Sequence, residues 1–299
     1  MSTRAASWWF GPVPARRIDV CRALTFGYAA IWLTVRAWYV WDVSGLPSRR
    51  FAPVGVMTWL DAPPSRPVVM GAWAIGLACS VLAALGRGLR ITAPLGSLTV
   101  LGIVTLTSSF GQVFHTEHLL ALHLLILAAA SIIEPARNAT ERSGWPLNLM
   151  MATLAATYVV AGIAKLRFSG TDWVTGDVLR NWVAADNLRK VLLDDPSSTF
   201  GGWLAGVGWV WGPIAVFTLL VELGAPLAMV SRRIRTPWLV AAWLFHVGIF
   251  AMMAISFPYQ LSGVAYLAFV PAERLEARVR QAVAGGGPRR ARMEVTERP

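Results

Sequence analysis

The sequence predicts an all-α fold: a polytopic integral membrane helical bundle of about eight transmembrane helices, with one amphipathic helix on the outer surface. Of the 299 residues, 56% are hydrophobic and 14% are charged, whereas a soluble domain carries about 25% charged residues. Apolar runs long enough to cross a bilayer, about 20 residues each, recur along the chain. Most charged residues lie between these runs, which is typical of a multi-pass membrane protein.

Eight apolar runs are predicted to span the membrane. They cover residues 18–41, 68–86, 93–113, 118–133, 146–166, 208–230, 238–255 and 257–270. The fourth and eighth are short, and the last two form either a tight hairpin or one broken element with Pro258 at the turn. This pattern predicts a transmembrane domain over residues 1–271 and a basic tail over residues 272–299, helical at first and then disordered.

The distribution of positive charge predicts the orientation. With a cytoplasmic N-terminus, the inner segments carry 17 of the 27 lysines and arginines and the outer segments carry 7. The other three, Arg22, Arg36 and Lys165, lie within spans. Because positive residues favour the cytoplasmic side, we expect a cell-membrane protein with both termini in the cytoplasm. The net charge of +11 lies mostly in loops and the tail, which indicates contact with membrane lipid and not with nucleic acid.

The second long outer loop contains an amphipathic segment over residues 173–193. Its apolar residues recur at helical spacing, with aspartates and arginines on the opposite face; they are Trp173, Val174, Val178, Leu179, Trp182 and Val183. Such a helix is expected to lie on the outer membrane surface. It would serve either as a lid over a site or as an interfacial spacer.

Lysine is rare in this chain, and one lysine lies at membrane depth. Lys165, at the outer end of the fifth span, and Lys190 are the two lysines; arginine supplies the remaining positive charge. An ammonium group can lose its proton when it is desolvated, whereas a guanidinium stays charged. Lys165 is therefore a candidate base, held uncharged in a dry recess. The structural alternative is that its side chain extends to the lipid headgroups and anchors the helix end.

The histidines are few and mostly clustered: three of the four are His115, His118 and His123. In the predicted topology His115 and His118 lie at the depth of Lys165. Four interpretations stay open: a metal site of His115, Glu117 and His118; a haem held by His123 and His246; hydrogen-bonded core histidines; or a proton-handling group beside Lys165. The spacing differs from established zinc motifs, so no metal is predicted.

One face of the fifth span combines small and polar residues. Tyr158, Ala161, Gly162 and Lys165 share this face by helical spacing. Small residues allow close approach of a neighbouring helix or of a flat ring such as a quinone. Glu222, inside the sixth span, is interpreted as a carboxyl bonded across helices or as the counter-charge of an intramembrane arginine.

Three motifs carry a resemblance to a known family. The first is Tyr158-Val-Val-Ala161-Gly162-Ile-Ala-Lys165-Leu166, followed by Asp172-Trp173-x2-Gly176. The second is His118-Leu-Leu-x-Leu-His-Leu-Leu, and the third is Glu222-Leu-Gly-Ala-Pro with the later Phe245-His246 and Phe257-Pro258-Tyr259. In this order they resemble the vitamin K-dependent gamma-glutamyl carboxylases and, more broadly, the horizontally transferred transmembrane (HTTM) domain family.

The resemblance implies a membrane-embedded oxygenation. In the carboxylases a lysine of the first motif is the base that deprotonates vitamin K hydroquinone. Oxygen then adds, and the resulting alkoxide removes a proton from a glutamate γ-carbon that captures carbon dioxide. Carried over, Lys165 would be the base, and His118 or His246 would assist it or position the ring. Tyr158, Ala161, Gly162 and Trp173 would bind the cofactor, a reduced vitamin K-like quinone.

The sequence also departs from the carboxylases. They have a second lysine just before the basic one, where this chain has Ala164, and they continue into a large lumenal domain where this chain has a short tail. A protein or peptide substrate on the outer face is implied by the resemblance alone. Two alternatives stay open: a non-catalytic membrane protein that binds quinone or lipid or assists assembly, and a haem-binding redox subunit.

Overall fold

The fold is an antiparallel helical bundle. The computed structural model describes residues 3–111, 113, 115–134 and 139–285. Its α-helices are α1 (Thr3–Phe10), α2 (Ala15–Val35), α3 (Ala37–Val43), α4 (Arg66–Ala84), α5 (Leu89–Ser108), α6 (His118–Ile133), α7 (Trp145–Ser169), α8 (Asp172–Thr175), α9 (Asp177–Leu192), α10 (Thr199–Leu204), α11 (Trp211–Val230), α12 (Arg232–Met253), α13 (Pro258–Leu261) and α14 (Ala272–Gly285). Short strands β1 (Pro12–Pro14) and β2 (Glu141–Ser143) pair antiparallel. The predicted all-α class is confirmed.

Six of the described helices are long and apolar enough to cross a membrane: α2, α4, α5, α7, α11 and α12. A seventh, α6, has 16 residues and spans about 24 Å at 1.5 Å per residue. This is shorter than a hydrocarbon core of about 30 Å. Helix α6 packs against α5 and α7, and nine of its residues are buried. Neighbouring helices thus cover most of its surface, and the chain is a multi-pass membrane protein.

The eighth predicted span is not a continuous helix, and this part of the prediction is wrong. Helix α12 ends at Met253, and Ala254 after it has a left-handed backbone conformation. Helix α13 then covers four residues, and a 3₁₀ helix follows from Val264 to Phe269. Pro258 lacks a backbone N–H, and Gly263 has φ of +78°, so neither continues a helix. The segment nevertheless returns through the bundle, because Tyr259, Tyr266 and Phe269 are buried by protein. Irregular backbone is tolerated at membrane depth under such cover.

Both described ends of the chain lie on one face of the bundle, which we call the terminal face. Here α14 docks on the start of α2: Arg17 donates two hydrogen bonds of 2.8 Å to Glu273, and Arg16 pairs with Glu276. The shared face of the ends agrees with the predicted topology. The cytoplasmic location of the terminal face stays a prediction. Some of the arginines on which that prediction depends, Arg137 and those of the tail residues 286–299, lie outside the described part of the chain.

The two arginines predicted within the first span both lie near its ends. Arg22 donates hydrogen bonds to the carbonyls of Ala83 and Ala84, where α4 ends on the terminal face. Arg22 thus binds the last carbonyls of α4, of which that of Ala83 also accepts from the backbone N–H of Gly86 at 3.1 Å. Arg36 separates α2 from α3 and pairs with Glu117 at 3.0 Å, on the opposite face. We call this second face the cavity face.

Candidate functional site

A large apolar cavity opens on the cavity face. Its volume is about 740 Å³, and the ends of α7, α11 and α12 form its walls together with α8, α9 and α10. Its lining is rich in aromatic side chains: Phe168, Trp173, Trp182, Phe200, Phe217, Phe245 and Phe257. Its polar lining comes from Lys165, His115, Thr218 and Ser169. The cavity therefore suits a largely apolar ligand with one polar end.

Lys165 forms an ion pair with Glu222 across the contact between α7 and α11. The Glu222 side chain is 2% exposed and that of Lys165 is 22% exposed. The second carboxylate oxygen of Glu222, Oε2, is buried without a hydrogen-bond partner among the described residues. Burying a carboxylate is costly unless it is paired, so Glu222 depends on Lys165. The Lys165 side chain is not simply extended to the headgroups, nor is it an isolated amine.

The direction of side chains in helices explains this pairing. Each Cα–Cβ bond tilts toward the N-terminus of its helix. Lys165, near the end of α7, therefore points back into the bundle. Glu222, on the antiparallel α11, points toward the cavity face. The sequence showed Glu222 as a lone intramembrane carboxyl, but it did not identify this partner.

Trp173 covers the lysine from the other side. Its ring centroid lies 5.2 Å from Nζ of Lys165, and its Nε1 donates to Oγ1 of Thr218 at 3.3 Å. The aromatic face attracts a cation at this distance. Trp173 thus contacts Lys165 and lines the cavity, while its role in ligand binding stays a prediction.

The structure brings His115, and not His118, to the cavity. His115 lies in the lining, and its ring centroid is 5.6 Å from that of Phe257. His118 begins α6 and does not line the cavity among the described residues. The sequence placed both histidines at the depth of Lys165, but it could not show which of them turns toward the cavity.

His246 lies behind the cavity wall in a buried hydrogen-bond network. Its Nε2 is 2.8 Å from the hydroxyl of Tyr158, which is 2.9 Å from the hydroxyl of Tyr266. Its ring packs on Phe245 and Phe257, both of which line the cavity. Nδ1 of His246 is buried without a partner among the described residues. His246 and Tyr158 therefore lie one layer from the cavity and support its aromatic wall.

The small residues of the fifth span serve a helix contact. A Cβ added at Gly162 would lie 2.8 Å from Cδ2 of Leu223 and 3.1 Å from Cβ of Glu222. Neither Ala161 nor Gly162 lines the cavity; Ala164 does. Gly162 thus lets α7 approach α11 closely enough for Lys165 to reach Glu222.

The haem and metal interpretations find no support. His123 is fully buried, and both of its ring nitrogens are engaged, with the hydroxyl of Tyr259 at 2.8 Å and the carbonyl of Met150 at 3.1 Å. It is not free to bind haem iron. Glu117 pairs with Arg36, and the described residues contain no group of three or more His, Cys, Asp and Glu arranged to hold a metal.

The amphipathic segment forms part of the cavity wall. It is divided at Gly176, whose φ is +89° and whose added Cβ would lie 2.2 Å from the carbonyl carbon of Trp211. The following helix, α9, lines the cavity with Leu179, Trp182 and Val183. The lid and the interfacial spacer both stay predictions for this segment.

Comparison with models of known protein families shows to which family this chain belongs. The family model of the HTTM domain matches residues 10–272. The chain belongs to the HTTM domain family. In this HTTM protein the match includes the cavity, the Lys165–Glu222 pair and the buried returning segment after α12. No curated protein and no solved structure matches this HTTM chain. The finer resemblance to the gamma-glutamyl carboxylases stays a prediction.

Proposed function

We propose that this HTTM protein is a quinol-dependent membrane enzyme in which Lys165 accepts a proton from a hydroxyl of the bound ring. The observation that carries the proposal is that one aromatic-lined cavity of about 740 Å³ is lined by Lys165, and that this lysine is paired with the buried Glu222. Ionisable residues within membrane spans are costly and mark functional sites. Small-molecule sites are mostly apolar pockets of about 300–1,000 Å³ with a few polar groups, as is this cavity.

The lining fits a reduced quinone. The aromatic side chains match a flat apolar ring, and the polar end offers Lys165, with His115 also in the lining. Phe168 at the rim is 83% exposed, so apolar surface continues from the cavity to the outside of the bundle. A ligand with an isoprenoid chain could thus extend from the ring site into lipid.

The lysine and the glutamate divide the proton transfer between them. Lys165 accepts a proton at Nζ only when that nitrogen is uncharged, and Glu222 is in contact with it and can hold the proton that it releases. Trp173 and the aromatic wall place mostly apolar atoms around Lys165, and electrostatic interactions are stronger in such surroundings than in water. The reduced quinone, when bound, would supply the electrons for oxygen chemistry, as the carboxylase resemblance implies. A protein or peptide substrate would approach from the cavity face, which the arginine distribution predicts to be outside.

The test measures ring binding and turnover separately. Wild-type protein in nanodiscs is given menaquinol, and binding is followed by quenching of tryptophan fluorescence while turnover is followed by oxygen uptake. Lys165→Ala is expected to keep binding and to lower turnover by about 10²-fold or more, the usual contribution of a general base. Arg167→Ala is the matched control, because Arg167 is exposed two residues further along α7 and does not line the cavity.

A second candidate function follows from the ion pair itself. Lys165–Glu222 joins two membrane helices, which would also suit a non-catalytic protein that binds quinone or lipid or assists assembly. In that case the variant Lys165→Arg should keep the ion pair with Glu222, because arginine is also positively charged, and its quinone binding should equal that of the wild-type protein. If the wild-type protein binds menaquinol without oxygen uptake, the binding function is retained and the enzymatic proposal is rejected. If it binds no menaquinol, both quinone proposals fail.

A further inference from the structure

A second cavity lies on the terminal face, opposite the cavity face where the Lys165 site lies. Its volume is about 670 Å³. The start of α12 and the start of α14 border it, and α1 and the first turns of α7 close its other side. Asn148 anchors this side by donating to the carbonyls of Trp8 at 2.7 Å and Trp9 at 3.1 Å. The cavity is thus built by four separate parts of the chain.

Four arginines line this cavity, and no aspartate or glutamate is among its described lining residues. They are Arg17, Arg232, Arg235 and Arg274. Glu273 neutralises Arg17 through the paired 2.8 Å hydrogen bonds. The described partners thus leave an excess of positive charge at one small site. An anion is the ligand that would balance it.

Two of the arginines are held in place and two are available. Arg235 donates to the carbonyls of Ala228 at 3.1 Å and Met229 at 2.9 Å, so its guanidinium is anchored. The side chains of Arg232 and Arg274 make no ion pair or hydrogen bond within the described part of the chain. Both are exposed, and they approach the cavity from different helices, α12 and α14. A guanidinium binds a phosphate group with two parallel hydrogen bonds.

The remaining lining is apolar, which distinguishes this cavity from a site for a soluble anion. Leu147 and Met151 on α7, Leu239 on α12, and Phe269 face the same space as the arginines. We propose that this cavity binds an anionic glycerophospholipid: its phosphate lies between Arg232 and Arg274, and the start of an acyl chain lies on the apolar residues. Basic pockets between transmembrane helices on the cytoplasmic side bind anionic lipid headgroups by this combination.

The experiment compares two double variants that remove the same charge. Arg232→Gln/Arg274→Gln removes the two available guanidiniums. Arg233→Gln/Arg278→Gln is the matched control, because these arginines are exposed neighbours on the same two helices and line neither this cavity nor the Lys165 cavity. Binding of phosphatidylglycerol and phosphatidylcholine to detergent-purified protein is measured by native mass spectrometry. Detergent removes the membrane surface potential, so the general attraction of basic residues to an anionic bilayer does not contribute.

The expected result is selective retention of phosphatidylglycerol by the wild-type protein. The first double variant should bind it at least about tenfold more weakly, since charge-assisted hydrogen bonds to phosphate are lost, while the control stays within about twofold. Equal losses in both variants would overturn the proposal, because the effect would then be general charge. Displacement of phosphatidylglycerol by millimolar inorganic phosphate would overturn the lipid assignment, because the apolar lining would then contribute nothing. If the first double variant does not fold, the single variant Arg232→Gln replaces it in the experiment, because Arg232 lies at an exposed helix end.

Discussion

Lys165 on α7 donates a hydrogen bond to Glu222 on α11, and this contact joins two membrane helices at the polar end of the largest apolar cavity among those described. Breaking a buried ion pair leaves an uncompensated charge, which costs about 3–5 kcal/mol. We therefore expect Lys165→Met to lower the free energy of unfolding by about 3 kcal/mol, the lower end of that range, because Lys165 is partly exposed. Unfolding in mixed micelles with increasing denaturing detergent measures this loss.

The double variant Lys165→Met/Glu222→Leu is the control for this prediction. Replacing both partners removes the buried charge, and such replacements are often neutral or stabilising. We expect the double variant to recover most of the lost stability, although not the proposed activity. If Lys165→Met alone is as stable as the wild-type protein, Glu222 does not depend on the lysine.

Gly162 determines how closely α7 and α11 approach. A Cβ there would lie 2.8 Å from Leu223, so Gly162→Ala is expected to destabilise the protein by about 1–3 kcal/mol through overpacking. Gly71→Ala in α4 is the matched control, since a Cβ at Gly71 meets no atom within 4 Å. Alanine there should be neutral or stabilise by about 0.5–1 kcal/mol. Thermal unfolding of both variants measures these changes. Equal shifts of the unfolding temperature in the two variants would contradict the interpretation that Gly162 is needed for a close helix contact.

Tyr158 links His246 to Tyr266 in the layer behind the cavity wall. Tyr158→Phe removes one hydroxyl and leaves two buried polar groups without that partner, so we expect a loss of about 1–3 kcal/mol. Tyr28→Phe is the comparison, because Tyr28 is partly buried and packs its ring on Tyr259 at 5.1 Å. The structure shows no hydrogen bond from its hydroxyl within the described residues. Similar losses in the two variants, measured by thermal unfolding, would count against the network.

The docking of α14 on α2 should depend on pH. The two hydrogen bonds from Arg17 lower the pKa of Glu273, and the contact with Arg16 lowers that of Glu276. A carboxyl whose pKa is lower in the folded state stabilises that state at pH above the unfolded value of about 4.3. This stabilisation is lost as the pH falls from about 4.3 through the lower pKa that each carboxyl has in the folded state.

Hydrogen exchange of the α14 amides, corrected for intrinsic rates, measures this effect. We expect protection to fall below about pH 4.3 while α4, which takes no part in these contacts, stays protected. Glu273→Gln/Glu276→Gln should show weak α14 protection at every pH. If the variant and the wild-type protein lose protection together at low pH, other carboxyl groups hold α14.

The sequence identified several elements because their physical cause is local. The lengths of the apolar runs predicted the membrane helices that became α2, α4, α5, α7, α11 and α12. The segment after α12 was predicted less well. Its composition is apolar enough for a span, but Pro258 and Gly263 interrupt the helix, and burial by protein makes the irregular backbone acceptable. That burial depends on neighbours that composition does not reveal.

Some residues of the candidate site could likewise be identified from the sequence, and others could not. Lys165 was identified from the sequence because a lysine at membrane depth is rare, and Trp173 because it belongs to the amphipathic segment and to the motif after Lys165. His115 and His118 could not be separated, since a difference of three positions leaves both near one depth but does not decide which ring faces the cavity. The pairing of Glu222 with Lys165, and of Tyr158 with His246, joins residues 57 and 88 positions apart.

By itself the sequence determined that this is a multi-pass helical membrane protein, because burial in a bilayer is selected by the length and polarity of each run. Its motifs also indicated the HTTM family, which the family model confirms over residues 10–272. Only the tertiary structure decided that Lys165 has a carboxylate partner, that Gly162 serves a helix contact, and that α9 lines the cavity. These depend on which faces of antiparallel helices meet, and that is set by packing among all the helices together.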